Sequence, residues 1–282
     1  MIDANREAEQ KTFEVRILRQ KGPGESSYWE RHRVNREADM NVISILQRIA
    51  EKPKNQEGTA VTPVSWDCNC LEEVCGACTM LINGRVRQAC SALVDNLLVD
   101  NPGQIELRPM TKYPVVRDLM VDRSRMFQAL QRVKAWVTVD TYYDMGPGPN
   151  QSRADQEAAY PLSQCMTCGC CMEACPQYTK IEVIRRAGET QEDFESRKAE
   201  AHSRAFIGPS PIGQAVLFNT NPTGARQAEE RLDALTAEGG IQICGNAQNC
   251  VAVCPKEIPL TTAIAKAGRA TTVHAIRKFF DR

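Results

Sequence analysis

Hydrophobic and polar positions alternate over residues 11–20, with Phe13, Val15 and Ile17 on one side and Glu14 and Arg16 on the other. A period of two predicts a half-buried strand. Gly22-Pro23-Gly24 marks a turn, and residues 28–34 return as a second strand to make a hairpin. The period then changes. Over residues 41–50, Val42, Ile45, Leu46 and Ile49 recur at helical spacing. Asp39 or Asn41 is placed to cap this helix and Pro53 to stop it. Further on, Asn83-Gly84 sits between the apolar positions of Met80–Val86, a strong two-residue hairpin signal. Residues 104–108 read as a closing strand.

After Pro109 the alternation gives way to helical patterning. Residues 115–134 predict one helix, or two with a break, followed by Trp136. Residues 142–150, with Gly146-Pro147-Gly148-Pro149, predict a loop, and Asp155–Leu162 leads into a cysteine-rich stretch. Residues 181–205 are charged and helix-compatible, a solvated surface. Gly208–Gly213 predicts a turn before an apolar helix. Residues 224–236 predict an amphipathic helix and residues 260–280 a C-terminal one. The expected class is α+β: residues 1–112 form a small sheet gripping a helix, and residues 113–282 form a mainly α-helical domain.

Composition narrows the chemistry. The 282 residues carry 35 Lys+Arg and 35 Asp+Glu, so no excess charge argues for a nucleic-acid partner. No apolar run reaches the ~18 residues of a membrane span. The charged start, MIDANREAEQK, is expected to be neither a secretory signal nor a basic transit peptide. Thirteen cysteines are an odd number without an export signal, and clustered thiols in a reducing compartment read as metal ligands. Neither a Gly-x-Gly-x-x-Gly run after a strand nor an activated nucleophile is present. His32, His202 and His274 are scattered, and are expected at the surface or in packing.

The cysteines fall into three groups. Cys70, Cys75 and Cys78 have the Cys-x4-Cys-x2-Cys spacing of plant-type [2Fe–2S] ferredoxins, with Cys90 brought back as the fourth ligand by the predicted hairpin. Gly76 is expected to let backbone N–H groups approach the sulfurs. Cys165, Cys168, Cys171 and Cys175-Pro176 have the bacterial ferredoxin spacing, in which the fourth thiolate goes to a second cluster. Cys244, Cys250 and Cys254-Pro255 repeat it, except that Ala247 stands where a cysteine is needed. Reciprocal pairing then gives Cys165, Cys168, Cys171 and Cys254 to a [4Fe–4S] cluster. Cys175, Cys244 and Cys250 are left for a [3Fe–4S] cluster. Cys68 and Cys170 lie off the spacing, and Cys68 is expected to be a small buried thiol beside Trp66. Zinc is the competing metal, but a structural zinc site takes its four ligands as two pairs.

Three clusters in one small chain suggest a wire, with partners supplying the chemistry at each end. The order and spacing of all three groups resemble the iron–sulfur subunit of succinate dehydrogenase and fumarate reductase. The stretches Trp66–Cys90, Val115–Trp136 and Cys244–Leu260 strengthen the likeness, which spans roughly residues 11–280. It implies a plant-type [2Fe–2S] ferredoxin-like β-grasp domain followed by an α-helical bacterial ferredoxin-like domain. It implies a flavoprotein partner with FAD and a membrane anchor, often with haem b. Electrons would pass from flavin through [2Fe–2S], [4Fe–4S] and [3Fe–4S] to quinone, from a peripheral position on the cytoplasmic face of the inner membrane. Ubiquinone-reducing members carry a Trp just beyond the first Cys-Pro and a His after the first cysteine of the last run. Here Gln177-Tyr178-Thr179-Lys180 and Gly245 stand there, which resembles bacterial menaquinone-linked members instead. The same subunit in a fumarate reductase, or a module of another dehydrogenase, shares the wire.

Overall fold

The computed structural model describes residues 12–138 and 149–281. It divides into two compact units, Met1–Asp122 and Arg123–Arg282. Most of the loop expected at 142–150 lies outside the described residues.

The first unit is a five-stranded mixed sheet. Strands β1 (Thr12–Arg19) and β2 (Tyr28–Asn35) form the expected hairpin, in antiparallel register from Thr12↔Asn35 to Arg19↔Tyr28. β3 (Thr79–Ile82) and β4 (Arg85–Gln88) form a second hairpin, and β5 (Gln104–Arg108) lies parallel to β1 and antiparallel to β3. The order across the sheet is β2-β1-β5-β3-β4. Helix α1 (Val42–Glu51) buries Val42, Ile45, Leu46 and Ile49 against Phe13, Val15 and Ile17. Burying each such side chain stabilises by roughly 1.5–3 kcal/mol. Of the two candidate caps, Asn41 is the one used: its Oδ1 accepts from the Ser44 N–H at 2.9 Å. Helix α2 (Val94–Asp100) was not foreseen; its seven residues bury only Val94 and Leu97, too short a periodic signal to read.

The end of β1 is anchored by a buried cation. Arg19, 2 % exposed, bonds Glu30, donates to Asp118 at 2.8 Å, and reaches the Thr62 carbonyl at 3.0 Å. His32 bonds Glu30 at 2.9 Å. This network accounts for one departure from the sequence pattern. Instead of a helix starting at residue 115, Val115–Arg117 (β6) and Met120–Val121 (β7) pair as a short hairpin. Asp118 sits at its turn with φ 47°, fixed by Arg19 and by the Gln20 and Ser65 N–H groups. Those tertiary bonds and the β-branched pair Val115-Val116 override helix propensity. The helix α3 begins only at Ser124 and ends at Arg132.

Among the described residues, the regular elements of the second unit are all helices: α3, then α4 (Arg153–Ser163), α5 (Cys170–Glu173), α6 (Gln191–Arg204), α7 (Pro209–Thr220), α8 (Ala228–Thr236), α9 (Asn249–Ala252) and α10 (Leu260–Phe280). The turn expected at 208–213 is already helix: Pro209 and Pro211 occupy the first turn of α7, where a missing N–H costs nothing. The helix expected over 224–236 is split, with a 3-10 turn at Gly224–Gln227 ahead of α8. The charged stretch 181–205 is helical only from Gln191. α7 packs on α4 and α10, and Gly213 permits this, since a Cβ there would stand 3.1 Å from Leu260 Cδ2. Arg231 is fully buried and donates to the carbonyls of Lys134, Gly224 and Trp136, tying α8 to the chain that follows α3. All three histidines are buried, as packing rather than surface residues.

Candidate iron–sulfur sites

In the first unit, four cysteines are presented by a loop and a hairpin. Asn83 and Gly84 both take left-handed φ, 48° and 76°, the type I′ geometry that a twisted two-residue hairpin requires. Cys78 enters β3 and Cys90 leaves β4; the Ala89 N–H donates to the Cys78 carbonyl at 3.1 Å. The hairpin therefore sets Cys78 beside Cys90. The loop between Cys70 and Cys78 curls through Leu71, Glu73 and Gly76, with φ of 62°, 54° and 68°. This turns the Glu72, Val74 and Cys75 N–H groups onto Cys70 Sγ at 3.4, 3.3 and 3.3 Å. Those three donors bring the Cys70 thiol down to about 7. Burial pushes Cys78 up to about 12. The structure thus brings Cys70 to Cys75 and Cys78 to Cys90. Cys68 differs from expectation: it is exposed rather than packed in the core.

The second unit holds two cavities walled by cysteines. Cys165, Cys168, Cys171 and Cys254 line one. Cys175, Cys244 and Cys250, with Ala247, line the other. Each run sends its Cys-Pro cysteine to the other's cavity. The two runs have matching backbones. Thr167 and Asn246 take φ of 52° and 53°, and Gly169 and Gln248 are left-handed residues that start the four-residue helices α5 and α9. The first turns of α7 and α10 lie between the cavities: Ser210 and Leu260 face the first, Pro209 and Thr261 the second.

Burial raises the thiols of Cys165, Cys171 and Cys250, and neighbouring cysteines raise them further. Cys168 is the exception, held down to about 7 chiefly by a hydrogen bond from the Cys170 side chain. A buried thiol cluster of this kind needs bound cationic metal to lose its protons. Among the described residues, no three His, Cys, Asp or Glu side chains converge closely enough to hold a single ion. An all-cysteine lining is the kind of donor set that iron–sulfur clusters take.

Comparison with known proteins agrees. Residues 14–128 match the model of a 2Fe-2S iron-sulfur cluster binding domain. The succinate dehydrogenase iron-sulfur subunit of Bacillus subtilis is 48 % identical over 97 % of this chain and 98 % of that protein. The fumarate reductase iron-sulfur subunit of Wolinella succinogenes is 27 % identical over 84 % and 87 % of the two chains. A chain of the Mycobacterium smegmatis Sdh1 complex in the apo form superposes with a TM-score of 0.66, at 20 % identity, over 95 % and 97 %, a likeness of fold. With a 2Fe-2S-type β/α domain, a helical second unit and near-complete alignment to a 48 % identical relative, the chain belongs to the iron–sulfur subunit family of succinate dehydrogenase and fumarate reductase, whose members serve their enzyme complexes as electron-transfer subunits.

Proposed function

We propose that this chain carries electrons between a flavoprotein subunit with FAD and a quinone held by a membrane anchor, as the iron–sulfur subunit of a succinate:quinone oxidoreductase. Cys70, Cys75, Cys78 and Cys90 would hold [2Fe–2S]. Cys165, Cys168, Cys171 and Cys254 would hold [4Fe–4S]. Cys175, Cys244 and Cys250 would hold [3Fe–4S]. The observation that carries this assignment is the exchange of Cys175 and Cys254 between the two cavities. Bound clusters supply one-electron carriers in series.

The chain's own residues set the conditions for that transfer. The loop N–H groups on Cys70 Sγ stabilise negative charge on the sulfur. The N-terminal ends of α7 and α10 abut the cavities, where helix dipoles favour anionic groups. Apolar walls such as Ile258 and Leu260, both 3 % exposed, keep water from the first cavity. Ala247 offers no ligand atom, which leaves the second cavity three thiolates.

The quinone is assigned as menaquinone, and the anchor as one carrying haem b. A Cβ at Gly245 would come within 2.8 Å of Gln177 Nε2, so this position has no room for a larger side chain while Gln177 stays in place. No helix among the described residues is long and apolar enough to cross a membrane, which suits a peripheral subunit held at the cytoplasmic face of the inner membrane by its anchor.

Electron paramagnetic resonance of the intact complex tests the assignment. Air-oxidised complex should give a near-isotropic [3Fe–4S] signal. Succinate should abolish it while a [2Fe–2S] signal grows. Reduction by dithionite but not succinate would remove the dicarboxylate partner. Ubiquinone as the sole competent acceptor would overturn the menaquinone assignment.

A further inference from the structure

Two polar side chains are buried in the first unit next to the cysteines of its hairpin. Thr79 is 2 % exposed and Gln88 1 %. Thr79 opens β3 directly after Cys78, Gln88 closes β4 two residues before Cys90, and the two face each other across the hairpin. Polar groups in such a place need hydrogen bonds. The Gln88 side-chain amide donates to Thr79 Oγ1 at 3.2 Å. The Thr79 hydroxyl, which can accept and donate together, donates in turn to the Gly76 carbonyl at 2.8 Å. The Thr79 N–H meets the same carbonyl at 3.4 Å.

The Gly76 carbonyl shares a planar unit with the Ala77 N–H. In a trans peptide the two point in opposite directions, so whatever fixes the one aims the other. With the carbonyl held by Thr79, the Ala77 N–H is turned onto Cys75 Sγ, at 3.4 Å. Gly76 stands at φ 68°. A glycine on one side makes a peptide easy to turn over, and the relay from Gln88 through Thr79 opposes that.

We propose that Thr79 and Gln88 are positioning residues for the [2Fe–2S] cluster: their relay locks the Gly76–Ala77 peptide so that the Ala77 N–H stays on the Cys75 sulfur and keeps the reduction potential raised. This rests on the assignment of Cys70, Cys75, Cys78 and Cys90 as ligands above. Reduction adds negative charge to the cluster. A donor fixed on a ligand sulfur stabilises the reduced state more than the oxidised one, so the potential rises. The two side chains act through the backbone and touch no ligand sulfur in this scheme.

The test compares Thr79→Val, Thr79→Ser and the double variant Thr79→Val with Gln88→Met in the intact complex. A buried amide that loses its acceptor can lower stability, and the double variant removes donor and acceptor together. Iron and sulfide content is measured first, then the midpoints of all the clusters by potentiometric titration with paramagnetic resonance detection. Thr79→Val and the double variant should keep their iron, with a lower [2Fe–2S] midpoint, a weakened exchangeable-proton coupling on the reduced [2Fe–2S] cluster, and the other midpoints unmoved. Thr79→Ser keeps the hydroxyl and should return the midpoint to that of the parent. An unmoved [2Fe–2S] midpoint in the double variant overturns the proposal. Equal shifts in Thr79→Ser and Thr79→Val also overturn it, since packing of the Thr79 methyl would then be the cause. Loss of [2Fe–2S] iron from both Thr79→Val and the double variant overturns it in favour of a role in folding the hairpin. A parent complex without any [2Fe–2S] signal would instead remove the ligand assignment itself, and this proposal with it.

Discussion

Replacing Ala247 by Cys should convert the [3Fe–4S] site into a [4Fe–4S] site. Residue 247 occupies the place in the second run that Cys168 occupies in the first, and the φ values around it match: 53° and 62° at Asn246 and Gln248, against 52° and 87° at Thr167 and Gly169. The backbone already presents a Cβ to the cavity, so one sulfur atom is all that is added. Position 247 is exposed, and a substitution at such a place changes stability by no more than about 0.5 kcal/mol. Folding should therefore be unaffected and the readout should be the cluster. Iron per chain should rise from about nine to about ten with sulfide unchanged. The near-isotropic signal of the oxidised protein should vanish, and the midpoint of that site should fall. Unchanged iron with the oxidised signal intact would refute the pairing of cysteines on which the argument stands.

Cys175→Ser should deplete the [3Fe–4S] signal far more than the [4Fe–4S] signal, although Cys175 neighbours the latter's ligands in sequence; paramagnetic resonance of both sites in one sample decides it. Arg19→Met should destabilise the first unit by about 3–5 kcal/mol, because Glu30 and Asp118 are left buried without their cation. Adding Glu30→Gln and Asp118→Asn should recover part of that in urea unfolding. Asp233 is held below the usual carboxylate range by hydrogen bonds from Lys278 and His274. A depressed carboxylate stabilises above its unfolded value and loses that contribution as pH falls through the folded one. Asp233→Asn should therefore weaken hydrogen-exchange protection at the end of α10 at pH ~7, with the difference closing below pH ~4.

The parts legible in the sequence were those with short-range signals. The β1–β2 hairpin, α1 and the Asn83-Gly84 turn follow from periodicity and turn chemistry that need no distant partner. The cysteine spacings similarly named the residues that now wall each cavity. The parts that were not legible depend on distant contacts. Asp118 takes its left-handed turn because Arg19, 99 residues away, holds it, and nothing near Val115 announces that. Arg19 and Arg231 look like surface cations until the carboxylates and carbonyls around them are known. Cys170 was set aside because it is off the spacing, and nothing in that spacing announces that it is buried in the wall of the first cavity. Residues 209–211 read as a turn because two prolines suggest one, whereas prolines are equally at home in a helix's first turn.

The exchange of Cys175 and Cys254 also bears on biogenesis. Cys254 lies 28 residues before the end of the sequence given, yet it walls the cavity begun at Cys165. Neither run can wall its cavity alone, so the two segments must fold against each other before either compartment closes. A break in the chain between Cys175 and Cys244 parts both cavities from a wall residue at once. Assembly of one compartment is thereby tied to assembly of the other.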